Sequence, residues 1–327
     1  MSRIIAIGDL HGAADALEAI LRGTRLVDRT GHWRGGGGAH LVQVGDIFNR
    51  GTEGRSVFER LLALQPEARA AGGDVTMLLG NHDVMMATGD EAWSSVDEYL
   101  SFASRRERES WPKRSQKQLW RLYRAGLAEP HVIPVNPRHD AWKVENVPGK
   151  DALRRAFGPT GRIGRALRRQ PVAVQIDDTI FVHAGISLEW VDHGIDGLNA
   201  LARQAWRQFD SDQDTVQLYR SVLAQRQGPL WHRPYARSTD RSTERELATV
   251  LSKLGARRTV GGHTRTDNQP GGRRGEIRTR LRRRYVGIDV SLRDDDSSTW
   301  AALVIDRTGG SEWRYDKRGR QRLWTAR

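Results

Sequence analysis

An α/β fold is predicted by three features of the sequence. Short apolar runs rich in β-branched residues recur along the chain, amphipathic helical stretches separate them, and several of the runs end in a side chain that can ligate a metal. Asp9 and His11, Asp46, Asn81 and His82, His183, and His263 all follow such runs. A polar residue in that position faces a cleft at the strand ends, not the core. At 327 residues the chain suits about two domains of ordinary size, or one large two-sheet α/β unit. An apolar content of 38% and eleven Trp mark a globular protein.

The first strand, Arg3 to Ile7, runs into Gly8-Asp9-Leu10-His11-Gly12. Side chains two apart on an extended segment share a face, so Asp9 and His11 can chelate one ion. Ala13 to Gly23 reads as a helix with Leu17, Ile20 and Leu21 inward. Gly35 to Gly38 is a flexible loop that lacks the Lys and Ser or Thr of a phosphate loop, and has no nucleotide role. The strand His40 to Val44 then places Asp46 just beyond its end. Val57 to Ala71 is a second helix, and a third strand, Val75 to Leu79, delivers Gly80-Asn81-His82-Asp83.

Residues 84–170 turn helical and basic, with Arg105-Arg106, Lys113-Arg114, Arg154-Arg155 and Arg168-Arg169 among scattered Trp. They read as a helical insertion beside the sheet, loosest at Pro148-Gly149. Strand patterns return at Val172 to Ile176 and Thr179 to Val182 around an Asp177-Asp178 turn, the second leading to His183-Ala184-Gly185. A helical stretch from Gly197 to Gln227 precedes Gly228-Pro229-Leu230-Trp231-His232-Arg233. The helix Thr243 to Leu254 precedes Arg258-Thr259-Val260-Gly261-Gly262-His263-Thr264. Residues 268–284 form a basic loop or edge segment, densest from Arg273 to Arg284, and Tyr285 to Val290 and Trp300 to Ile305 are closing strands.

With no Cys, disulfides, thiolate metal sites and cysteine nucleophiles are excluded. The apolar strand that starts at Arg3 leaves no room for a signal peptide, and no apolar run approaches membrane-spanning length, so a cytoplasmic protein without membrane contact is expected. A formal net charge of +13 favours polyanionic company, such as a nucleotide or nucleic acid on a basic surface, unless it reflects an Arg-rich composition spread over solvent.

Aspartates, imidazoles and an Asn carbonyl, without thiolates, suit two divalent or mixed-valence ions of Mn, Fe, Zn or Co. Two ions close together need a bridging carboxylate. Such a pair lowers the pKa of a water and grips phosphoryl oxygens for in-line attack, while a neighbouring His protonates the leaving oxygen.

The blocks Gly8-Asp9-x-His11-Gly12, Gly45-Asp46-x-x-Asn49-Arg50-Gly51, Gly80-Asn81-His82-Asp83, His183-Ala184-Gly185 and Gly262-His263-Thr264 resemble the signatures of the calcineurin-like metallophosphoesterases, within them the phosphoprotein phosphatases. Ala70-Ala71-Gly72-Gly73, Val84-Met85-Met86 and Gly228-Pro229-Leu230-Trp231 are similar to the Shewanella-like phosphatases, a largely bacterial branch. The resemblance covers roughly Ile4 to Ser291. It implies a single domain over residues 1–327, with two mixed β-sheets packed as a sandwich, flanked by helices, and a dinuclear centre at the strand ends. It assigns Asp9, His11 and bridging Asp46 to one metal, and Asp46, Asn81, His183 and His263 to the other. His82 becomes the general acid, Arg50 the phosphate clamp and Arg233 a second phosphate contact.

Two residues depart from the pattern. Asn49 stands where the family has an Asp that charges the catalytic imidazole, and Asp83 where most members have Glu; the Asp form also occurs in diadenosine tetraphosphate hydrolases. The implied activity is hydrolysis of phosphomonoesters, on phosphorylated Ser, Thr or Tyr of proteins or on small esters. Hydrolysis of dinucleoside polyphosphates or RNA 5' ends is the alternative. A third is a weakly catalytic module that binds nucleic acid or anionic partners through Arg273 to Arg284.

Overall fold

The computed structural model describes residues 3–111, 147–292, 300–306, 311–316 and 319–325. Its strands in chain order are β1 (Arg3–Ile7), β2 (Ala39–Gln43), β3 (Asp74–Met77), β4 (Ala173–Ile176), β5 (Thr179–Val182), β6 (Arg258–Gly261), β7 (Arg278–Arg280), β8 (Tyr285–Gly287), β9 (Ala302–Asp306), β10 (Ser311–Asp316) and β11 (Gly319–Thr325). They form two mixed sheets, in the orders β11-β10-β9-β1-β2-β3 and β4-β5-β6-β8-β7.

The strands that carry the site are parallel. β1 lies between parallel β2 and antiparallel β9, with Ile5 opposite both Leu41 and Val304, and β5, β6 and β8 run parallel in the second sheet. Strands covered on both faces must be apolar throughout, which is how Ile4, Ile5, Ala6 and Ile7 read. One continuous apolar cluster joins the sheets into a sandwich. It includes Ile5, Leu41 and Val42 from the first and Phe181, Val182, Val260 and Val286 from the second. Helices flank it. In α1 (Ala14–Gly23), Ala16, Leu17, Ile20 and Leu21 are buried, and α2 (Gly54–Ala70) buries Val57, Phe58, Leu61 and Leu64 at helical spacing.

Several sequence expectations change here. The stretch from Gly197 to Gln227 divides at Gln213, whose φ of 52° ends the helix Gly194–Asp212 before a short one at Thr215–Tyr219. β10 and β11 were not expected, because their charged sequences lack the clean alternation of a half-buried strand. They extend the first sheet outward as a hairpin. Within 84–170, residues 112–146, including Lys113-Arg114, lie outside the described residues. The flanking parts are helical at Val96–Phe102, Lys150–Phe157 and Arg162–Leu167. Their arginines are partly engaged in packing: Arg168 makes a two-pronged ion pair with Asp210 and stacks over Trp206.

The basic segment forms turns and the edge strand β7, which pairs antiparallel with β8. Only part of it is an exposed basic edge. Arg273, Arg274, Arg282 and Arg283 are exposed, whereas Arg278 donates to the Pro270 carbonyl at 2.8 Å and Arg280 to the carbonyls of Tyr235 and Ser238 at 3.0 and 2.5 Å. These two guanidinium groups tie an edge strand to its neighbours. Among the described residues no helix is long and apolar enough to cross a membrane.

Candidate metal centre

The loops that leave β1, β2, β5 and β6 converge with the start of the helix Asn81–Thr88. Leu10 and His11 donate their N–H groups to the Asp46 carbonyl at 3.0 and 2.9 Å, and Gly262 donates to the His183 carbonyl at 2.8 Å. The backbone is bent into the left-handed region at His11, Asp46, Asn49, Arg50 and His263. Non-glycine residues adopt it at a cost that surrounding contacts must offset, and such strain clusters at functional sites. Two glycines permit the close approach. A Cβ on Gly80 would strike Asp46 Oδ1, and one on Gly262 would strike Asp9 Oδ1.

Asp83 holds the Asp46 loop in place. Its Oδ2 accepts from the N–H groups of Asp46 and Gly80, both at 2.9 Å, and its Oδ1 from those of Ile47 and Phe48 at 3.0 and 3.3 Å. Burial and the neighbouring Asp46 push this carboxyl up to about 7, while the N–H donors favour its anion. Asp83→Asn turns one acceptor oxygen into a donor that faces two N–H groups. It is expected to destabilise the fold by roughly 2–4 kcal/mol, for two buried donors left unsatisfied. Chemical denaturation measures this; a loss below about 0.5 kcal/mol would mean that the loop does not depend on the carboxylate.

Around Asp46 the donor atoms form two groups, His11 with His82 and His183 with His263, each lying with Asp46 within 4.8 Å. Asp46 Oδ2 faces His11 Nε2 at 3.7 Å, and its Oδ1 faces His183 Nε2 at 3.5 Å. His11 donates its Nδ1 hydrogen to the Phe48 carbonyl at 2.8 Å, and His183 to the Val44 carbonyl at 2.9 Å. Each Nε2 lone pair therefore points inward, the arrangement that a carbonyl behind the ring imposes on metal-binding imidazoles. His183 Nε2 also lies 3.0 Å from Asn81 Oδ1. Lone pairs from three residues thus meet at one point, which a cation must balance. His263 Nε2 is buried with no hydrogen-bond partner in the described structure. This donor set fits a metal ion. Asp9 stands slightly apart, with both carboxylate oxygens on the His263 N–H at 3.0 and 3.1 Å.

The electrostatics reflect the same crowding. Burial pushes Asp9 well above the usual carboxylate range, with Asp289 adding to the effect. Burial also acts against the charge on Asp46, yet the imidazoles of His183 and His82 hold it well below that range. Burial lowers His11 to about 3; for His183, burial is outweighed by Asp46, which lifts it to about 9.

His82 is held differently. Its Nδ1 donates to Asn49 Oδ1 at 3.0 Å, and its Nε2 accepts from Arg50 Nη2 at 3.0 Å. Both ring nitrogens are engaged by protein groups, which fixes the imidazole next to His11 and Asp46. Burial lowers its pKa, Arg50 adds to the shift, and Asp46 opposes it. Arg50 lies over the Trp93 ring at 5.3 Å and donates its backbone N–H to the Trp93 carbonyl at 3.0 Å. Arg233 is half-buried, donates to Thr264 Oγ1 at 3.3 Å, and lies close enough to His263 to lower it. All ten residues singled out from the sequence thus lie at or beside one centre. Sequence reasoning missed Glu98, Trp93, Asp289 and the anchoring role of Asp83. Only Asp83, adjacent to the Asn-His pair, carried a signal.

The chain belongs to the calcineurin-like phosphoesterase family, whose model matches residues 2–266. Within the family it is similar to Shewanella-like protein phosphatase 2 of Arabidopsis thaliana, with 30% identity over 209 residues, 62% of this chain and 51% of that protein. It is also similar to Shewanella-like protein phosphatase 1 of Plasmodium berghei, with 27% identity over 271 residues, 80% and 61% of the two chains. The chain thus spans between half and two thirds of the length of these curated relatives. The crystal structure of the cold-active protein-tyrosine phosphatase of a psychrophilic Shewanella species has the same fold, with a TM-score of 0.70, 24% identity, and coverage of 99% of this chain and 81% of that one.

Proposed function

We propose that the chain is a dinuclear metal-dependent phosphatase that hydrolyses phosphomonoesters, on phosphorylated Ser, Thr or Tyr side chains or on small phosphate esters. The observation that carries this reading is the placement of Asp46, whose two carboxylate oxygens face His183 and His11 separately. One ion would be held by Asp9, His11 and Asp46, and the other by Asp46, Asn81, His183 and His263. Ions of Mn, Fe, Zn or Co would supply an activated water and positive charge for the phosphoryl oxygens. The chain's own groups do the rest. Arg50 presents a planar two-pronged donor that suits a phosphate. His82, fixed through Nδ1, offers Nε2 to the leaving oxygen. Trp93, about half exposed beside Arg50, gives the rim a flat apolar face that favours an aromatic leaving group.

A second reading, hydrolysis of dinucleoside polyphosphates or RNA 5' ends, is favoured by Arg233, half-buried against Thr264, which adds a second guanidinium to that of Arg50. A turnover panel of phosphoserine, phosphothreonine and phosphotyrosine peptides against diadenosine tetraphosphate, each with Mn added, separates the two. Phosphate release from the peptides is expected, fastest from phosphotyrosine. Turnover of the tetraphosphate alone would transfer the assignment to the second reading.

A further inference from the structure

Asn49 supplies no charge to His82, but a carboxylate stands directly behind it. Glu98, in the helix Val96–Phe102, is fully buried. Its Oε1 accepts the backbone N–H of Asn49 at 2.9 Å, and its Oε2 faces Asn49 Nδ2 at 3.5 Å. Nδ2 lies within 3.0 Å of Ser94 Oγ and 2.9 Å of Met86 Sδ as well. Every neighbour on that side of the amide accepts, so the Asn49 oxygen must point the other way, toward His82 Nδ1.

The direction of the chain of hydrogen bonds is therefore set from both ends. A carboxylate can only accept and a guanidinium can only donate. Read from Glu98 to Arg50, the Asn49 amide donates to Glu98, His82 Nδ1–H donates to Asn49 Oδ1, and Arg50 donates to His82 Nε2. Reversing any one link would set two donors or two acceptors against each other. We propose that Glu98 is a positioning residue that acts through Asn49 to fix the orientation and tautomer of His82, so that Nε2 is the nitrogen that takes up a proton from solvent when Arg50 turns to the phosphate and, as the imidazolium, passes it to the leaving oxygen while Nδ1–H stays on Asn49. The proposal rests on the reading of His82 as the proton donor to the leaving group. Glu98 is buried by its desolvated position under the Asn49 turn, and burial pushes its carboxyl up to about 6.

A swap tests it. In Glu98→Gln the new oxygen still accepts the Asn49 N–H, but the new NH2 group meets the Asn49 NH2 group, donor against donor. In the double variant Asn49→Asp with Glu98→Gln, acid and amide exchange places: the Gln NH2 donates to the Asp carboxylate, which accepts from His82 Nδ1–H. The link between positions 49 and 98 is restored with the same direction at His82; Ser94 Oγ can turn to donate to the new carboxylate, and the bond to Met86 Sδ is lost. The expected result is a drop in kcat of about tenfold for a phosphoserine peptide in Glu98→Gln, with KM little changed, and recovery of most of it in the double variant.

Histidine 15N shifts in the zinc-loaded protein, with His82 assigned from His82→Asn, read the tautomer without any turnover. The Nδ1–H form is expected in the parent and the double variant, and a mixture with the Nε2–H form in Glu98→Gln. An unchanged Nδ1–H signal in Glu98→Gln, or a double variant no better than the single one in kcat, would overturn the proposal. If none of the three proteins turned over a phosphate ester while the tautomer followed this pattern, the positioning role would stand and the phosphatase reading would fail.

Discussion

Asp46→Asn is expected to lower kcat/KM on the order of 10³-fold for every phosphate ester, a loss of about 4 kcal/mol in transition-state stabilisation. Among the described residues no other single side chain belongs to both groups of donors. Asp46 Oδ2 faces His11, while Oδ1 faces His183 and also accepts the His82 N–H at 2.9 Å. An Asn in its place retains one acceptor oxygen and presents an NH2 group to the other imidazole, so at most one ion keeps its ligand set. The negative charge that would hold two cations close together is lost too. Elemental analysis should then show the metal content falling from two ions per chain to one or fewer, with circular dichroism unchanged. Full activity after complete metal removal by a chelator would refute the dinuclear reading at a stroke, and two retained ions in the variant would remove Asp46 from its bridging place.

Much of the candidate centre was legible because its proposed ligands come from the ends of parallel strands, where a run of buried apolar residues gives way to a polar one. Asp9, Asp46, His183 and His263 each follow such a run, and the pattern requires no knowledge of the tertiary contacts. The supports were not legible, for a physical reason. Glu98 lies 49 residues from Asn49 in a short helix whose first turn also contains Asp97, and nothing in local sequence separates a buried carboxylate from an exposed one. Asp83 was visible as a departure from a family pattern, but its four backbone donors come from two loops and appear only when these are folded together. The same limit applies to the basic segment: composition shows the charge, whereas only tertiary structure reveals that Arg278 and Arg280 are turned onto carbonyl groups. β10 and β11 were missed because their charged sequences lack the apolar alternation that marks half-buried strands; β11 is the sheet's edge, and β10 joins it to β9.

His82→Asn should divide substrates by their leaving groups. A general acid contributes about 10²- to 10⁴-fold where the departing oxygen needs a proton, and far less where it leaves readily as an anion. For a phosphoserine peptide, kcat is expected to fall by about 10³-fold, because a serine alkoxide is a poor leaving group; for nitrophenyl phosphate the fall should be about tenfold or less. KM should change little for either. Arg50 loses its contact with His82 Nε2 in this variant but keeps its place over the Trp93 ring and its backbone bond to the Trp93 carbonyl, so the phosphate clamp is retained. The structure adds one consequence. Arg50 Nη2 donates to His82 Nε2, so a phosphate that draws this guanidinium toward itself also frees the nitrogen that must carry the proton. Binding and proton delivery are then linked through one side chain, and Arg50→Lys, which keeps the charge but loses the two-pronged donor, should raise KM for both esters to a similar degree. Losses in kcat that are equal for phosphoserine and nitrophenyl phosphate in His82→Asn would show that His82 shapes the site without protonating the leaving group.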